Sequence, residues 1–380
     1  MSDELDDNDP GEHCEYPQPQ TKFSSIEELT LSQENGLLKL VKRLSNRFQL
    51  PNFSEADILE SISIISNNLE YYHDTKWENL PDVYFKLPDK RPLICVSSPH
   101  KIAGGEVRDI TFKTHFESAN PEYGARFKKL IKPRSVKAKH WKHLNEKPTG
   151  CVIAVHGWNM GDEKSSALTM VPGYFFQLGL DVIIVELPMH GARKSEINSI
   201  TQMFPSLDPA VTNESFAQSI CELREISTWV RSEIDCPVIG LGLSLGAQVI
   251  SLWASLDSID AVICVAPLVS LPSFIWSQVA GTNLEATLLK IGLNQQMLEQ
   301  GFAVSNPLSY FLSTPRNQVL IVAGKNDIIV PASHAETLCK HWNSPRIHWL
   351  PDGHIEQLTA PSTGQEIKDF LGKLGLIKEV

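Results

Sequence analysis

Six short runs rich in valine and isoleucine are the feature that most restricts how this chain of 380 residues can fold. None of them alternates between apolar and polar residues, which is typical of strands buried on both faces. Stretches with the apolar spacing of amphipathic helices separate them. The pattern predicts an α/β fold, with a mostly parallel sheet and helices on both faces. The predicted strands are residues 151–155, 181–187, 237–241, 261–266, 319–323 and 347–350, and the predicted helices are residues 166–178, 214–233, 245–256, 334–343 and 364–374.

The segment GLSLG at residues 242–246 comes directly after the third predicted strand and directly before a predicted helix. A side chain on so tight a turn is crowded by backbone, so small residues are needed two positions before it and two after it. Ser244 would project from the carboxyl edge of the sheet, close to the N-terminus of the helix. Free N–H groups there favour a developing negative charge. This context predicts that Ser244 is a nucleophile.

A serine hydroxyl becomes reactive when a base removes its proton and an acid orients that base. Asp327 follows the fifth predicted strand and His354 follows the sixth. The order serine, aspartate, histidine and the positions after strand ends fit a fold of this kind. We therefore expect Ser244, Asp327 and His354 to act together as nucleophile, acid and base. Asp352 is the less favoured acid, because it stands between proline and glycine as in an exposed turn.

A serine nucleophile of this kind also needs two backbone N–H groups that bind the negatively charged oxygen of the intermediate. One should come from Leu245, the residue after the nucleophile. The other should come from Trp158, in the loop HGWN at 156–159 after the first predicted strand. We expect His156 in this loop to bond to backbone rather than to act as a base. His190 and Gly191 are expected to brace the loop after the second strand.

Five segments at the ends of predicted strands resemble those of a known family. They are HGW at 156–158, LPMHG at 187–191, GLSLG at 242–246, GKND at 324–327 and PDGH at 351–354. Their order and positions resemble the α/β-hydrolase superfamily and, within it, the carboxylesterase and lipase-like serine hydrolases. The resemblance covers residues 151–375, about 60 % of the chain.

The resemblance implies a catalytic triad of Ser244, Asp327 and His354, with Trp158 and Leu245 as the oxyanion-hole donors. It departs from the lipases that carry an HGGG loop, because a single glycine follows His156. The expected function is a serine hydrolase that cleaves a small-molecule or lipid acyl ester through an acyl-enzyme, without metal or organic cofactor. A peptidase or thioesterase with the same triad, or a non-catalytic binding protein, are the alternatives, since the fold alone does not fix the substrate.

The stretch between the fourth and fifth predicted strands holds about 50 residues, far more than an ordinary connection. It predicts a cap insertion at residues 269–313. The strand before this insertion is the sixth of the domain when the leading antiparallel strands are counted. Phe274 and Trp276 in this insertion are candidate substrate-binding residues. An apolar cap helix serves packing equally well, so both interpretations stay open here.

The sequence before the first parallel strand divides into three parts. Residues 1–20 contain seven acids and no lysine or arginine, which predicts a disordered acidic tail. Residues 21–105 have helical patterns and are expected to form an N-terminal helical extension. The hydrolase domain would then span 106–380, with its leading antiparallel strands in 106–150. Within it, residues 126–147 contain nine lysines and arginines, and we expect a solvated loop there rather than a site for anionic lipid.

Composition excludes several classes. The net charge of −11 argues against a nucleic-acid-binding protein, which needs a basic surface. Seven scattered cysteines without a paired motif favour free thiols in a reducing compartment. His140 and His143 lack a further ligand set, so no metal site is expected. No apolar run approaches the roughly 20 residues that span a bilayer. We expect a cytoplasmic protein without an integral membrane segment, and the oligomeric state stays open.

Overall fold

The computed structural model describes residues 55–378, apart from 122, 126–134, 162–168, 195–202, 278–279, 282, 291–292, 352 and 355. The predicted acidic tail, residues 1–20, and the competing acid Asp352 therefore lie outside the described residues. The predicted division into extension and hydrolase domain stays a prediction.

The strands of the described chain form one sheet. They are β1 Cys95–Val96, β2 His100–Ile102, β3 Gly105–Lys113, β4 Ser135–His143, β5 Gly150–Val155, β6 Leu180–Val185, β7 Val238–Leu243, β8 Ala261–Val265, β9 Val319–Gly324 and β10 Arg346–Leu350. Their order is β1-β3-β4-β6-β5-β7-β8-β9-β10, and β2 pairs with β3. The strands β5 to β10 are parallel, and β1 to β4 add an antiparallel edge. The carboxyl ends of the six parallel strands therefore share one edge.

Ten helices lie in the described ranges, and three of them stand between β8 and β9, where the sequence predicts a cap. They are α1 Glu55–Thr75, α2 Pro81–Tyr84, α3 Pro172–Gln177, α4 Pro209–Trp229, α5 Leu245–Leu256, α6 Leu271–Ser277, α7 Asn283–Lys290, α8 Gln295–Gly301, α9 Ala332–His341 and α10 Pro361–Lys373. Short 3-10 turns occupy Trp77–Asn79, Gly191–Arg193, Ala303–Ser305, Pro307–Ser309 and Arg316–Gln318, and a π turn, Val230–Ile234, follows α4.

The core lies on both faces of the sheet, as the uninterrupted apolar strands predict. In β5, Ile153 and Val155 belong to one apolar cluster, whereas Val152 and Ala154 belong to another. Successive side chains of a strand point to opposite faces, so the two clusters fill the two sides of the sheet. Helices α4, α5 and α9 cover the first cluster, and α3 and α10 cover the second. The predicted mixed α/β layer structure is confirmed.

The basic stretch corrects one expectation. Residues 135–143 are not a solvated loop but β4, which pairs with β3 on one side and β6 on the other. Val136, Ala138 and His140 are buried, while the residues between them are half-buried. This alternation is typical of a strand with one buried face. The lysines on its other face give the segment the composition of a charged loop, which is why the prediction was wrong. Residues 126–134 lie outside the described residues.

The N-terminal region packs on the body through helix α1. Ile65 and Leu69 of α1 enter an apolar cluster with residues of α6 and α8. The contact with α8 is close, because a Cβ at Gly301 would lie 2.4 Å from Leu69 Cδ2. Asn68 also donates a hydrogen bond to Asp208 Oδ1, at the N-cap of α4, at 2.7 Å. The extension and the inserted helices thus share one packed interior.

A second junction joins the extension to α4 through buried polar groups. The hydroxyls of Tyr72 and Tyr84 both donate to Glu214 Oε1, at 3.3 and 2.9 Å. All three side chains are almost fully buried. Burial is the main cause that raises the pKa of Glu214 to about 7, and hydrogen bonds from Ser118, Tyr84 and Tyr72 offset part of it.

Two further observations concern membranes and thiols. Among the helices of the described ranges, none combines the length and the apolar character needed to cross a bilayer. The six cysteines in the same ranges are free thiols, and four of them are buried.

Candidate functional site

Ser244 occupies a strained turn between β7 and α5. Its backbone has φ 55° and ψ −112°, a region that residues with a side chain rarely adopt. The turn is fixed from both sides, because Ser244 N–H donates to Val265 O at 2.9 Å and Gln248 N–H donates to Ser244 O at 3.2 Å. Strain of this kind persists where the surrounding structure enforces it, and such places are concentrated at functional sites. The side chain is half-buried, so it remains accessible.

The two glycines of GLSLG are required by close backbone contacts. A Cβ at Gly242 would lie 2.3 Å from the carbonyl oxygen of Gly246, in the first turn of α5. A Cβ at Gly246 would lie 2.1 Å from Val155 O and 2.6 Å from His156 O, at the end of β5. These distances are far inside van der Waals contact. Helix α5 can therefore begin against β5 only because glycine stands at both positions, as the sequence predicts.

Asp327 and His354 form a buried acid–base pair. His354 Nδ1 donates to Asp327 Oδ2 at 2.6 Å, and the two residues are 8 % and 9 % exposed, respectively. The loops that carry them are joined at their bases, since Lys325 N–H donates to Leu350 O at 2.8 Å. The structure thus brings together two of the three side chains that the sequence singled out. Because Nδ1 is engaged, Nε2 is the nitrogen left for proton transfer.

Two backbone groups hold the other oxygen of the acid. Asp327 Oδ1 accepts hydrogen bonds from the N–H groups of Ile329 and Val330, at 2.8 and 3.0 Å. Together with the bond to His354, these contacts hold both carboxylate oxygens of Asp327 in place.

Ser244 lies on the same edge of the sheet as this pair. The intervening strands connect them, because Ser244 pairs with the end of β8 and Ala266, just beyond β8, donates to Val322 O of β9 at 2.9 Å. Within the described residues the Ser244 hydroxyl makes no hydrogen bond to His354. Catalytic hydrogen bonds are often long before substrate binds and tighten in the complex. Three different loops thus bring the side chains of Ser244, Asp327 and His354 to the same edge of the sheet.

The loop after β5 lies beside the nucleophile. A Cβ at Gly157 would lie 3.5 Å from Ser244 Cβ, so the backbone directly before Trp158 approaches Ser244. Leu245, the other expected oxyanion donor, is the first residue of α5. The first N–H groups of a helix have no partner inside the helix, so this one is suited to an anion. Leu245 thus directly follows Ser244, whereas an oxyanion contact of either expected donor stays a prediction.

His156 and His190 are structural, as predicted. His156 Nδ1 donates to Gly157 O at 2.8 Å, and its Nε2 accepts from Leu187 N–H at 3.2 Å. His190 Nδ1 donates to Pro188 O at 2.9 Å. Burial, followed by the neighbouring His156, lowers the pKa of His190 to about 3. The imidazole of His190 is therefore neutral near neutral pH and braces its loop.

Phe274 and Trp276 lie on α6 in the apolar cluster that also contains Leu69 and Phe302. They are 3 % and 9 % exposed. Their packing role is therefore plain, and a contact with substrate stays a prediction.

His140 and His143 both form hydrogen bonds with one carboxylate. His140 Nε2 donates to Asp181 Oδ2 at 3.0 Å, and His143 Nδ1 donates to Asp181 Oδ1 at 2.9 Å. Burial acts to raise the pKa of Asp181, but the hydrogen bonds with both histidines outweigh it and lower that pKa. Across the described ranges, no group of three histidine, cysteine or acidic side chains is arranged to hold a metal ion.

The structure also shows one hydrogen-bond partner of Asp327 that the sequence did not predict. Gln357 donates from Nε2 to Asp327 Oδ2 at 2.9 Å. In the sequence Gln357 stands three positions after His354, and no motif distinguishes it from other glutamines.

Comparison with known proteins bears on the fold. No family model matches the chain. It is 27 % identical over 318 residues to the uncharacterized protein Rv2627c of Mycobacterium tuberculosis, across 82 % of this chain and 75 % of that protein. Among solved structures it is similar to acetyl xylan esterase 1 of Thermoanaerobacterium, with TM-score 0.55, 14 % identity and coverage of 81 % and 93 % of the two chains. An acetyl xylan esterase of Paenibacillus gives TM-score 0.54, 13 % identity and coverage of 79 % and 94 %. With its strand order and its turn at Ser244, the chain has the α/β-hydrolase fold.

Proposed function

We propose that the protein is a serine hydrolase that cleaves a carboxylic ester through an acyl-enzyme. The observation that carries the proposal is the strained turn at Ser244, on the same sheet edge as the buried Asp327–His354 pair. Strain at a nucleophile, a base with one nitrogen already oriented, and an acid held by backbone N–H groups are the components that this chemistry needs.

In the proposed first step, Ser244 Oγ attacks the ester carbonyl while His354 Nε2 takes its proton. Asp327 accepts the Nδ1–H bond and stabilises the imidazolium without becoming protonated. The oxyanion of the tetrahedral intermediate lies against the N–H groups of Leu245 and Trp158. When the intermediate collapses, the imidazolium gives its proton to the leaving alcohol, and the acyl group stays on Ser244.

In the second step water replaces the alcohol. His354 takes a proton from the water, which attacks the acyl carbonyl, and then returns a proton to Ser244 Oγ as the acid leaves. The reaction needs no group beyond these side chains and backbone donors. The acetyl xylan esterases that share the fold are named for ester cleavage, which agrees with an ester as the substrate class.

A fluorophosphonate probe tests the proposal directly, since it labels an activated serine. We expect the wild-type protein to be labelled and Ser244→Ala to be unlabelled, with a loss of about 10³–10⁶ in kcat for ester hydrolysis. Ser219→Ala is the matched control, because Ser219 is a buried serine of α4 that bonds to Ser215 O, within its own helix. An unlabelled wild type, or equal labelling of Ser244→Ala, would contradict the proposal.

Matched ester, amide and thioester substrates with acyl chains of increasing length separate the related reactions. Faster turnover of the amide or of the thioester would replace the esterase with a peptidase or a thioesterase that uses the same side chains. Labelling without turnover of any of the three bonds would favour a binding protein that has kept the fold.

A further inference from the structure

We propose that Gln357 is a positioning residue for the acid–base pair, an inference that rests on the proposed function. Its amide Nε2 donates to Asp327 Oδ2 at 2.9 Å and to the carbonyl oxygen of Gly353 at 2.8 Å. Gly353 is the residue directly before His354. One NH₂ group therefore ties the carboxylate of the acid to the backbone that carries the base.

The chemistry of the partners determines which end of the amide faces them. A carboxylate oxygen and a carbonyl oxygen both accept hydrogen bonds, and the NH₂ end of glutamine is the end with two donors. Turning the amide would place its oxygen against two other oxygens. The two contacts thus use both N–H bonds of Gln357 at once.

Asp327 Oδ2 depends on Gln357 more than Oδ1 does. Oδ1 is held by the N–H groups of Ile329 and Val330, whereas Oδ2 receives Gln357 and the imidazole that it has to orient. Without the amide, the bond to His354 would be the remaining restraint on Oδ2 among the contacts described. Oδ2 could then shift while Oδ1 stays anchored on Ile329 and Val330, and the imidazole bonded to Oδ2 would shift with it. A misplacement of about 1 Å at a catalytic group can cost about 100-fold in rate.

The burial of the amide supports a role beyond packing. Gln357 is 1 % exposed, and its Oε1 is buried without a hydrogen bond within the described chain. Burying an unpaired polar atom destabilises the folded protein. An apolar side chain of similar volume would avoid this cost, so packing alone gives no reason for glutamine at this position. The two bonds from Nε2 supply that reason.

The substitution Gln357→Met tests the proposal, because it keeps the length of the side chain and removes both donors. We expect kcat for the best ester of the panel to fall by about tenfold to 100-fold, with KM changed by less than about twofold. The rate of fluorophosphonate labelling should fall by the same factor as kcat.

Gln218→Met is the matched control. Gln218 is equally buried and also donates from Nε2 to a carboxylate, that of Glu222, at 2.6 Å, but on helix α4. It should lose a similar amount of thermal stability while it keeps kcat. The positioning role is wrong if Gln357→Met keeps kcat within about twofold of the wild-type value. It is also wrong if the fall in kcat is no larger than that of Gln218→Met.

A second variant decides the matter if Gln357→Met does not fold. Gln357→Glu is isosteric, but a carboxyl group has at most one O–H, so it cannot donate to Asp327 Oδ2 and to Gly353 O at once. We expect kcat to fall by about tenfold to 100-fold, with KM changed by less than about twofold. An unchanged kcat in a folded Gln357→Glu would overturn the inference. If the wild type itself is not labelled, the proposed function fails instead, so the two failures are distinguishable.

Discussion

Replacing Glu214 by glutamine should make the protein more stable at alkaline pH. Glu214 is buried at the junction of α4 with the N-terminal extension, and its pKa is raised to about 7 from an ordinary value of 4.5, chiefly by burial. Glutamine keeps the carbonyl oxygen to which Tyr72 and Tyr84 donate. It also removes the need to ionise a buried group, so the cost of that ionisation can be measured by difference.

The direction in which the free energy of unfolding changes with pH follows from proton binding. Between about pH 4.5 and pH 7 the folded protein retains the proton on Glu214, whereas the unfolded chain has released it. The folded state then binds more protons, so the free energy of unfolding falls as the pH rises through this window. A difference of about 2.5 units, at 1.36 kcal/mol for each unit, corresponds to about 3 kcal/mol. This cost is fully present above pH 7 and absent below about pH 4.5.

Urea denaturation at a series of pH values from 5 to 8.5, with wild type and Glu214→Gln compared at each pH, measures the effect. From pH 5 to pH 8.5 the free energy of unfolding of the variant should rise relative to that of the wild type by about 2–3 kcal/mol, because part of the cost is already present at pH 5. Titrations elsewhere cancel in the difference. Glu233→Gln is the control, because Glu233 is exposed on the turn that follows α4. A difference between wild type and Glu214→Gln that stays constant with pH would refute the reasoning.

Three further perturbations have defined outcomes. Asp327→Asn should lower kcat by about 10⁴ with little change in KM, because the amide favours the wrong tautomer of the base, and a loss below tenfold in steady-state kinetics would contradict the assigned acid. Gly246→Ala should reduce thermal stability by about 1–3 kcal/mol or more and abolish probe labelling, since its Cβ would overlap two carbonyl oxygens, whereas Gly173→Ala has open space around the new Cβ and should be harmless. Leu69→Ala should cost about 2–5 kcal/mol in chemical denaturation, because Leu69 is 1 % exposed, and the 70 % exposed Leu87 provides a Leu→Ala control that should change stability by less than about 0.5 kcal/mol.

The central sheet was predictable because burial on both faces leaves a simple signal. The run CVIAV at 151–155 consists of small and branched apolar residues, and the structure places it as β5 between β6 and β7. The edge strand β4 was not predictable in the same way. It has one buried face formed by Val136, Ala138 and His140, and lysines between them dominate the composition. A half-covered edge needs few apolar residues, so its signal is weak.

Three residues of the candidate site were predictable from the sequence, and a fourth was not. Ser244 was identifiable because its backbone conformation requires glycine on both sides, and those requirements are local in sequence. Asp327 and His354 were identifiable from their places after strands, since parallel strands deliver their loops to one edge. Gln357 was not, because its importance comes from where two loops meet in space and not from any residue type around it. The roles of all four in catalysis remain predictions.

The backbone conformation of Ser244 lowers the stability of the folded protein, although the proposed reaction depends on this residue. A positive φ with ψ near −112° is unfavourable for any residue that carries a Cβ, and such local strain costs of the order of 1–3 kcal/mol. Glycine would adopt it freely, so Ser244→Gly should unfold at a higher temperature than the wild type, while it lacks the hydroxyl that the proposed reaction requires. Selection for durability alone would thus remove the serine first, and screens for thermostable variants of this protein need an activity criterion to retain it.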